Sequence, residues 1–186
     1  ARRYSTMILK TDGTVWATGD NSNGQLGDGT KKRSTSFVSV MSSDVTAVVA
    51  VVAGPLHSMA LKQDGSVWAT GINNDGQLGD GSKTDRNKFV QVVVDSATAM
   101  AGALAFSVVL KTDGSVWATG DNSYGQHGDG STQSKTTFVK VMSVGAVAVA
   151  AGKEHTVVLK QDGSVWAAGR NKYGQVGDGS KVDRKS

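Results

Sequence analysis

Short apolar runs alternate with Asp-Gly pairs along the whole chain. Met59-Ala-Leu-Lys-Gln precedes Asp64-Gly65, and Ser66-Val-Trp-Ala-Thr follows it. Asp-Gly between two such runs favours the primed turn of a two-residue hairpin, so the pattern predicts two antiparallel strands at each occurrence. Further along stand Phe-Val-x-Val segments at Phe37, Phe89 and Phe138, followed by runs of small apolar residues such as Val144-Gly-Ala-Val-Ala-Val-Ala-Ala-Gly152. These predict two more strands. No segment keeps a 3.6-residue apolar period for three turns, which argues against a helical solenoid. The longest nearly apolar stretch, Ala97 to Leu110, is interrupted by Thr98 and Ser107 and is too short for a membrane helix, so it reads as buried strand.

The hairpins are copies of one another. LKTDGTVWATG (Leu9 to Gly19) recurs as LKQDGSVWATG (Leu61 to Gly71), LKTDGSVWATG (Leu110 to Gly120) and LKQDGSVWAAG (Leu159 to Gly169), at spacings of 52, 49 and 49 residues. Periods of this size mark solenoids, propellers and arrays. The chain therefore divides into repeats at 1–52, 53–101, 102–150 and 151–186, the last incomplete. Four strands in about 50 residues, with narrow strands of Ala, Val and Gly, suit a β-propeller blade that tapers toward a central channel. The expected fold is all-β.

Gly76-Gln-Leu-Gly-Asp-Gly81, Ala53-Gly-Pro-Leu-His-Ser58 and Asp64-Gly-Ser-Val-Trp68, recurring in this order, resemble the signature of the regulator-of-chromosome-condensation repeat family, and the resemblance covers essentially the whole chain. It implies a propeller, usually of seven blades. Thr18, Thr70, Thr119 and Ala168 stand where the family often has Trp, and Phe37, Phe89 and Phe138 stand where it usually has Pro. Four hairpins and three Phe-Val-x-Val segments fall short of seven blades. The resemblance thus implies an incomplete seven-bladed propeller or an open arc needing further blades or another chain to close, with an unusually small closed ring as the alternative. An uncapped arc would expose strand edges and apolar blade faces. Relatives of this type include guanine-nucleotide exchange factors, chromatin binders, inhibitors of secreted enzymes and ubiquitin-ligase modules, a breadth that transfers no single activity.

Composition narrows the chemistry. Glycine is abundant, at 24 residues, while proline occurs once and cysteine not at all. Disulfides and cysteine-ligated metals are excluded, and the compartment is left open. Gly24 to Lys31 (GQLGDGTK) lacks the Gly-Lys-Ser/Thr order and following helix of a phosphate-binding loop. Asp20-Asn-Ser-Asn-Gly24 and Asp121-Asn-Ser-Tyr-Gly125 lack the Gly and Glu spacing of an EF-hand, and fit turn-shaping side chains instead. His57 and His155 share one place in the repeat and His127 stands alone, without a partner at metal-ligand spacing. Trp16, Trp68, Trp117 and Trp166 hold one equivalent position, expected to pack between blades. No nucleophile motif and no recurring acid–base pair is present. The expectation is a protein without cofactor, metal or catalytic activity.

Charge is the informative feature. The segments after each Gly-Asp-Gly carry Lys31, Lys32, Arg33, Lys83, Arg86, Lys88, Lys135, Lys181, Arg184 and Lys185, ten of the twenty basic residues, opposed only by Asp85 and Asp183; the whole chain carries only +4. Equivalent loops of a propeller share one rim, so these residues, Lys135 set aside, form a candidate basic partner-binding edge. A second candidate surface comprises positions where the repeats diverge: Arg2-Arg-Tyr4, Pro55-Leu-His57, Leu104-Ala-Phe106 and Lys153-Glu-His155, with Asn23, Asp75, Tyr124 and Tyr173. Arg3, Tyr4, Tyr124 and Tyr173 are its candidate anchors. The expectation is a non-catalytic protein-binding scaffold contacted through its loop rims, for which an acidic protein and an anionic glycan are equally admissible to the basic edge and nucleic acid is a further polymer partner; an extracellular or surface carbohydrate or anionic-polymer binder is the second reading, and an accessory structural subunit of a larger assembly the third.

Overall fold

A computed structural model describes residues 5–42 and 46–186. Its fourteen strands form four antiparallel sheets, with no helix among the described residues. The first sheet holds β1 (Ser5–Leu9), β2 (Val15–Gly19) and β3 (Ser34–Met41). The second holds β4 (Val48–Ala53), β5 (His57–Lys62), β6 (Val67–Gly71) and β7 (Arg86–Val93), and the third β8 (Ala97–Gly102), β9 (Phe106–Lys111), β10 (Val116–Gly120) and β11 (Lys135–Met142). The fourth holds β12 (Ala146–Ala151), β13 (His155–Lys160) and β14 (Val165–Gly169). Each is an up-and-down blade in sequence order. A single bridge, Gly169 to Arg184, extends the fourth sheet outward and matches the Gly71 to Arg86 pairing that opens β7.

Each hairpin closes at its Asp-Gly pair, but not as the primed two-residue turn expected of it: Gln63 and Asp64 are the central residues of a turn from Lys62 to Gly65, Lys62 N donates to Ser66 O, and only Gly65 takes a positive φ. Gly65 N donates to Lys62 O, while Asp64 Oδ1 accepts from Ser66 N and Ser66 Oγ. Those bonds favour the ionised carboxylate and hold Asp64 below its ordinary range. The strand after the turn then presents its side chains alternately to the two neighbouring blades. Val67 and Ala69 are buried and join Met59 and Leu61 in a cluster with Val109 and Ala97 of the third blade. The same places, Val116 and Leu110, pack on Val158 and Ala146 of the fourth.

The tryptophans take the other face. Trp68 is half-buried at the seam with the first blade, beside Val40, Gly27 and Phe89, so it belongs to the edge of the blade junction rather than to its core. Its indole N–H donates to Ser66 Oγ, and Lys62 Nζ lies 4.8 Å from the ring centroid. Lys111 on Trp117 and Lys160 on Trp166 repeat this cover. The core is left to aliphatic residues such as Met59, Leu61, Val67 and Ala69, with Phe106 the largest side chain wholly buried among the described residues.

Register also corrects one alignment. Ser5 pairs with Gly19 as His57 pairs with Gly71, so Ser5, not Tyr4, stands at the His57 place. Hairpins of equal length fix this, and the match of Arg2-Arg-Tyr4 to Pro55-Leu-His57 is displaced by one residue. Arg3 and Tyr4 themselves lie outside the described residues.

Candidate functional site

Two loops of each blade meet at one end of the sheet. β4 ends at Ala53, β5 begins at His57, β6 ends at Gly71 and β7 begins at Arg86, with Gly71 paired to both His57 and Arg86. The divergent positions and the basic segments therefore occupy the same rim rather than two surfaces. The Asp-Gly turns lie at the opposite end.

A buried asparagine organises each long loop of this rim. Asn73 Nδ2 donates to Asp80 Oδ1 and Ser82 O, and Asn73 Oδ1 accepts from Leu78 N. Asn21, Asn122 and Asn171 repeat the arrangement, all with no exposed surface. The Gly-Asp-Gly aspartates are thus engaged by their own loops, as the turn-shaping reading expects.

The first three loops then reach across to clasp the following blade. Thr70 Oγ1 donates to Gly24 O of the preceding loop, and Gly29 N donates to Asn87 O. One junction later Thr119 Oγ1 meets Gly76 O, and Gly81 N meets Thr136 O. Ser107 Oγ and Thr156 Oγ1 donate to Gln77 O and Gln126 O. Thr70 and Thr119, two of the departures from the resembled pattern, are therefore junction residues. So are Phe89 and Phe138, whose rings lie over Gly27 and Gly79.

The basic residues separate into two groups. Arg86 grips Asp80 through Nε and Nη2 at 2.7 Å, Arg184 Nε lies 2.5 Å from Asp178 Oδ2, and Lys31 Nζ lies 3.3 Å from Asp85 Oδ2 of the next blade. Desolvation raises the Asp80 pKa, but the hydrogen bonds from Ser82 and Arg86 outweigh it and hold the carboxylate ionised. Asp85 and Asp183 also accept from the backbone of Asn73 and Asn171, so they shape the loops as well as opposing charge. Lys32, Arg33, Lys83, Lys88, Lys181 and Lys185 are exposed and make no ion pair among the described residues. The pairing of Arg86 with Asp80 is not visible in sequence, because the loop must first fold back.

The tyrosines differ similarly. Tyr124 is half-buried under the Arg170 guanidinium, 4.9 Å away, and Arg170 is itself held by Glu154 at 2.6 Å. Tyr173, by contrast, is 78% exposed. His57 is enclosed between the second and third blades with Nε2 2.9 Å from Ser107 Oγ; burial pushes its pKa down to about 4. Burial also pushes His127 down to about 4, against the opposing pull of Asp129 and Asp121. Neither reaches the rim as a ligand. Among the described residues no group of three His, Asp or Glu side chains converges on a metal-sized site.

Up-and-down sheets of three and four strands, successive sheets being joined by a loop that clasps the next, define a repeat-built β-propeller. The regulator of chromosome condensation (RCC1) repeat matches residues 12–61, 48–77, 101–126 and 146–175. The chain belongs to that family. Human protein RCC2 is 39% identical over 82 residues, spanning 43% of this chain and 15% of the relative. The ultraviolet-B receptor UVR8 of Arabidopsis thaliana is 38% identical over 96 residues, spanning 50% and 22%. Two solved propellers superpose on 98% of the chain: human WBSCR16, with a TM-score of 0.82 and 24% identity, and yeast RCC1 (Prp20) in its complex with Kap60, with 0.83 and 20%. The chain spans about half the length of these structures, 49% and 46%.

Proposed function

We propose that the chain is a non-catalytic protein-binding propeller scaffold whose loop rim receives an acidic surface of its partner. The observation that carries this reading is the sorting of charge on the rim: Arg86, Arg184 and Lys31 are held by aspartates, while Lys32, Arg33, Lys83, Lys181 and Lys185 stand exposed without an ion pair among the described residues. Charges that build the loops are distinct from charges directed at solvent. Adjacent segments are near neighbours, as the Lys31 to Asp85 contact between blades attests, so their fields add at a shared edge. A field of this kind raises association rate and selects against basic partners more than it adds affinity.

Protein binding is also a recorded property of the structural relatives: yeast RCC1 was solved bound to Kap60, and a second structure of Prp20p was reported with its binding to Gsp1p and histones. Those partners are theirs. For this chain the proposal is limited to the chemistry of the rim.

The test titrates the protein with an acidic glutamate-rich polypeptide, heparin and single-stranded DNA at rising salt. Selective binding of the polypeptide, lost in a Lys32→Glu, Arg33→Glu, Lys83→Glu variant that still melts at the parent temperature, is expected. Equal binding of all three polyanions points to a general anion-binding edge instead, and binding unaffected by the substitutions excludes the rim.

A further inference from the structure

The outer strand of the first three blades opens with an irregularity. In β3, Ser34 pairs with Gly19 and Val38 with Ala17, so Thr35, Ser36 and Phe37 stand opposite Thr18 alone and the ladder is broken there. β7 and β11 repeat the break between Arg86 and Val90 and between Lys135 and Val139. Such a bulge loosens pairing and re-aims the side chains within it. Where a blade precedes, the first place of the bulge lies under its loop: a Cβ on Gly24 would stand 2.7 Å from Asn87 Cα and one on Gly76 2.8 Å from Thr136 Cα, and Gly29 N and Gly81 N donate to the carbonyls of Asn87 and Thr136. The third place is the Phe laid over a glycine, as Phe89 on Gly27 and Phe138 on Gly79. The second place escapes. Lys88 and Thr137 are exposed although a blade precedes each, so the outward aim of this position belongs to the bulge itself.

In the first blade that outward place holds Ser36, which is exposed. Arg33 stands three residues before it, preceded by Lys32 and Lys31, all exposed, and neither Arg33 nor Lys32 makes an ion pair among the described residues. The neighbouring Ser34 is occupied, its Oγ donating to Ser36 O at 2.6 Å, whereas Ser36 Oγ has no hydrogen-bond partner among the described residues. The other outward places each lack one half of this combination: Lys88 has no hydroxyl, and Thr137 has Ser134, not a base, three residues before it. A reachable serine on a loosely paired, extended edge with a guanidinium at that spacing is a charge pattern that basophilic protein kinases read through acidic pockets.

We propose that Ser36 is a phosphorylation site for a basophilic serine kinase, and that the phosphate switches off the basic edge beside it. Ser36 Oγ attacks the γ-phosphorus of ATP; the new O–P bond replaces the bond from that phosphorus to the oxygen bridging it to the β-phosphate, ADP leaves, and the hydroxyl proton passes to the kinase's base. Lys31, Lys32 and Arg33 supply three positive charges to this segment. Phosphoserine brings about −1.5 to −2 at pH 7, which cancels half or more of that charge within one loop. The switch rests on the reading of the rim given above; the acceptor site does not.

The 186-residue chain and a synthetic peptide of residues 28–40 are incubated with labelled ATP and the catalytic domain of a kinase that selects Arg three residues before its serine. One phosphoryl group per folded chain is expected, mapped to Ser36 by fragmentation and absent in Ser36→Ala. In Arg33→Gln the labelling rate should fall about ten-fold or more, through loss of one charge-assisted contact to the kinase. Labelling of the peptide without the folded chain overturns the proposal, as does a phosphate on Ser34 or Thr35 in place of Ser36, or failure to label either substrate. The phosphorylated chain is then titrated with the glutamate-rich polypeptide and is expected to bind it several-fold more weakly than the untreated chain; equal binding overturns the switch. An untreated chain that does not bind the polypeptide marks a failure of the rim reading and of the switch with it, while the labelling decides the acceptor site on its own.

Discussion

Phe89 lies over Gly27 of the preceding blade so closely that a Cβ on Gly27 would stand 2.5 Å from the ring. Gly27 has φ +80°, and Gly177, in the corresponding place on the fourth blade, has φ +79° with nothing within 4 Å. The two differ in surroundings but not in backbone. Replacing either by Ala carries the left-handed backbone cost of about 1–2 kcal/mol. Only Gly27→Ala adds overpacking, of about 1–3 kcal/mol. Urea unfolding is expected to rank Gly27→Ala well below Gly177→Ala; equal losses would show that Phe89 yields freely.

Asn73 bonds three parts of its loop from a fully buried position. Asn73→Ala leaves the Leu78 N–H without its acceptor inside the protein, at a cost of about 2–4 kcal/mol once the lost volume is included. Asn171→Ala removes the same bonds next to the half-buried Val176, where solvent can replace them, and about 1 kcal/mol is expected. Thermal melting of both variants measures the difference.

His57 and His127 remain neutral in the folded protein until about pH 4, against an ordinary value of 6.5. Between those limits the unfolded chain takes up protons that the folded chain refuses. Stability therefore declines as pH falls from about 6.5 to about 4, by up to ~3 kcal/mol for each histidine. The hydrogen-bonded aspartates act lower: Asp64 and Asp80 are held below 3.8, so their stabilisation is lost only as pH falls beneath that value. His57→Phe, which borrows the residue at the equivalent Phe106 place, is expected to flatten the slope between pH 6.5 and 4. Urea midpoints across that range provide the measurement, and an unchanged slope would refute the buried neutral imidazole.

Arg86→Gln and the double change Lys32→Glu, Arg33→Glu should have opposite consequences. The first removes the partner of a largely buried Asp80 carboxylate and is expected to cost about 1–3 kcal/mol in unfolding. The second touches exposed side chains and leaves stability within about 0.5 kcal/mol. Association rate with an acidic partner should nevertheless fall several-fold, with a weaker salt dependence, in the double variant alone. Stopped-flow mixing beside denaturant unfolding distinguishes these effects.

The strands were legible because their signals are local. Asp64-Gly65 sets a turn whatever surrounds it, and the alternation through Val67, Trp68 and Ala69 survives in the sheet. What lay hidden depends on neighbours brought close by folding. Nothing in the string connects Phe89 to Gly27, and nothing marks Arg86 as bound while Lys32 makes no ion pair among the described residues. The tryptophans show the same limit: alternation assigns Trp68 to one face, but only the adjoining blade determines that this face is a seam with Lys62 laid across it. The divergent loops and the basic loops looked like separate surfaces for want of the strand directions that unite them.

The clasp from Gly24 and Gly29 onto β7 means that the covalent repeat and the mechanical unit are out of phase. A cut between β3 and β4 would separate two sheets cleanly on paper, yet it would take away the loop that latches the second one. Shuffling or shortening such an array should therefore join chains after the latch, so that every sheet travels with the strap of the sheet before it.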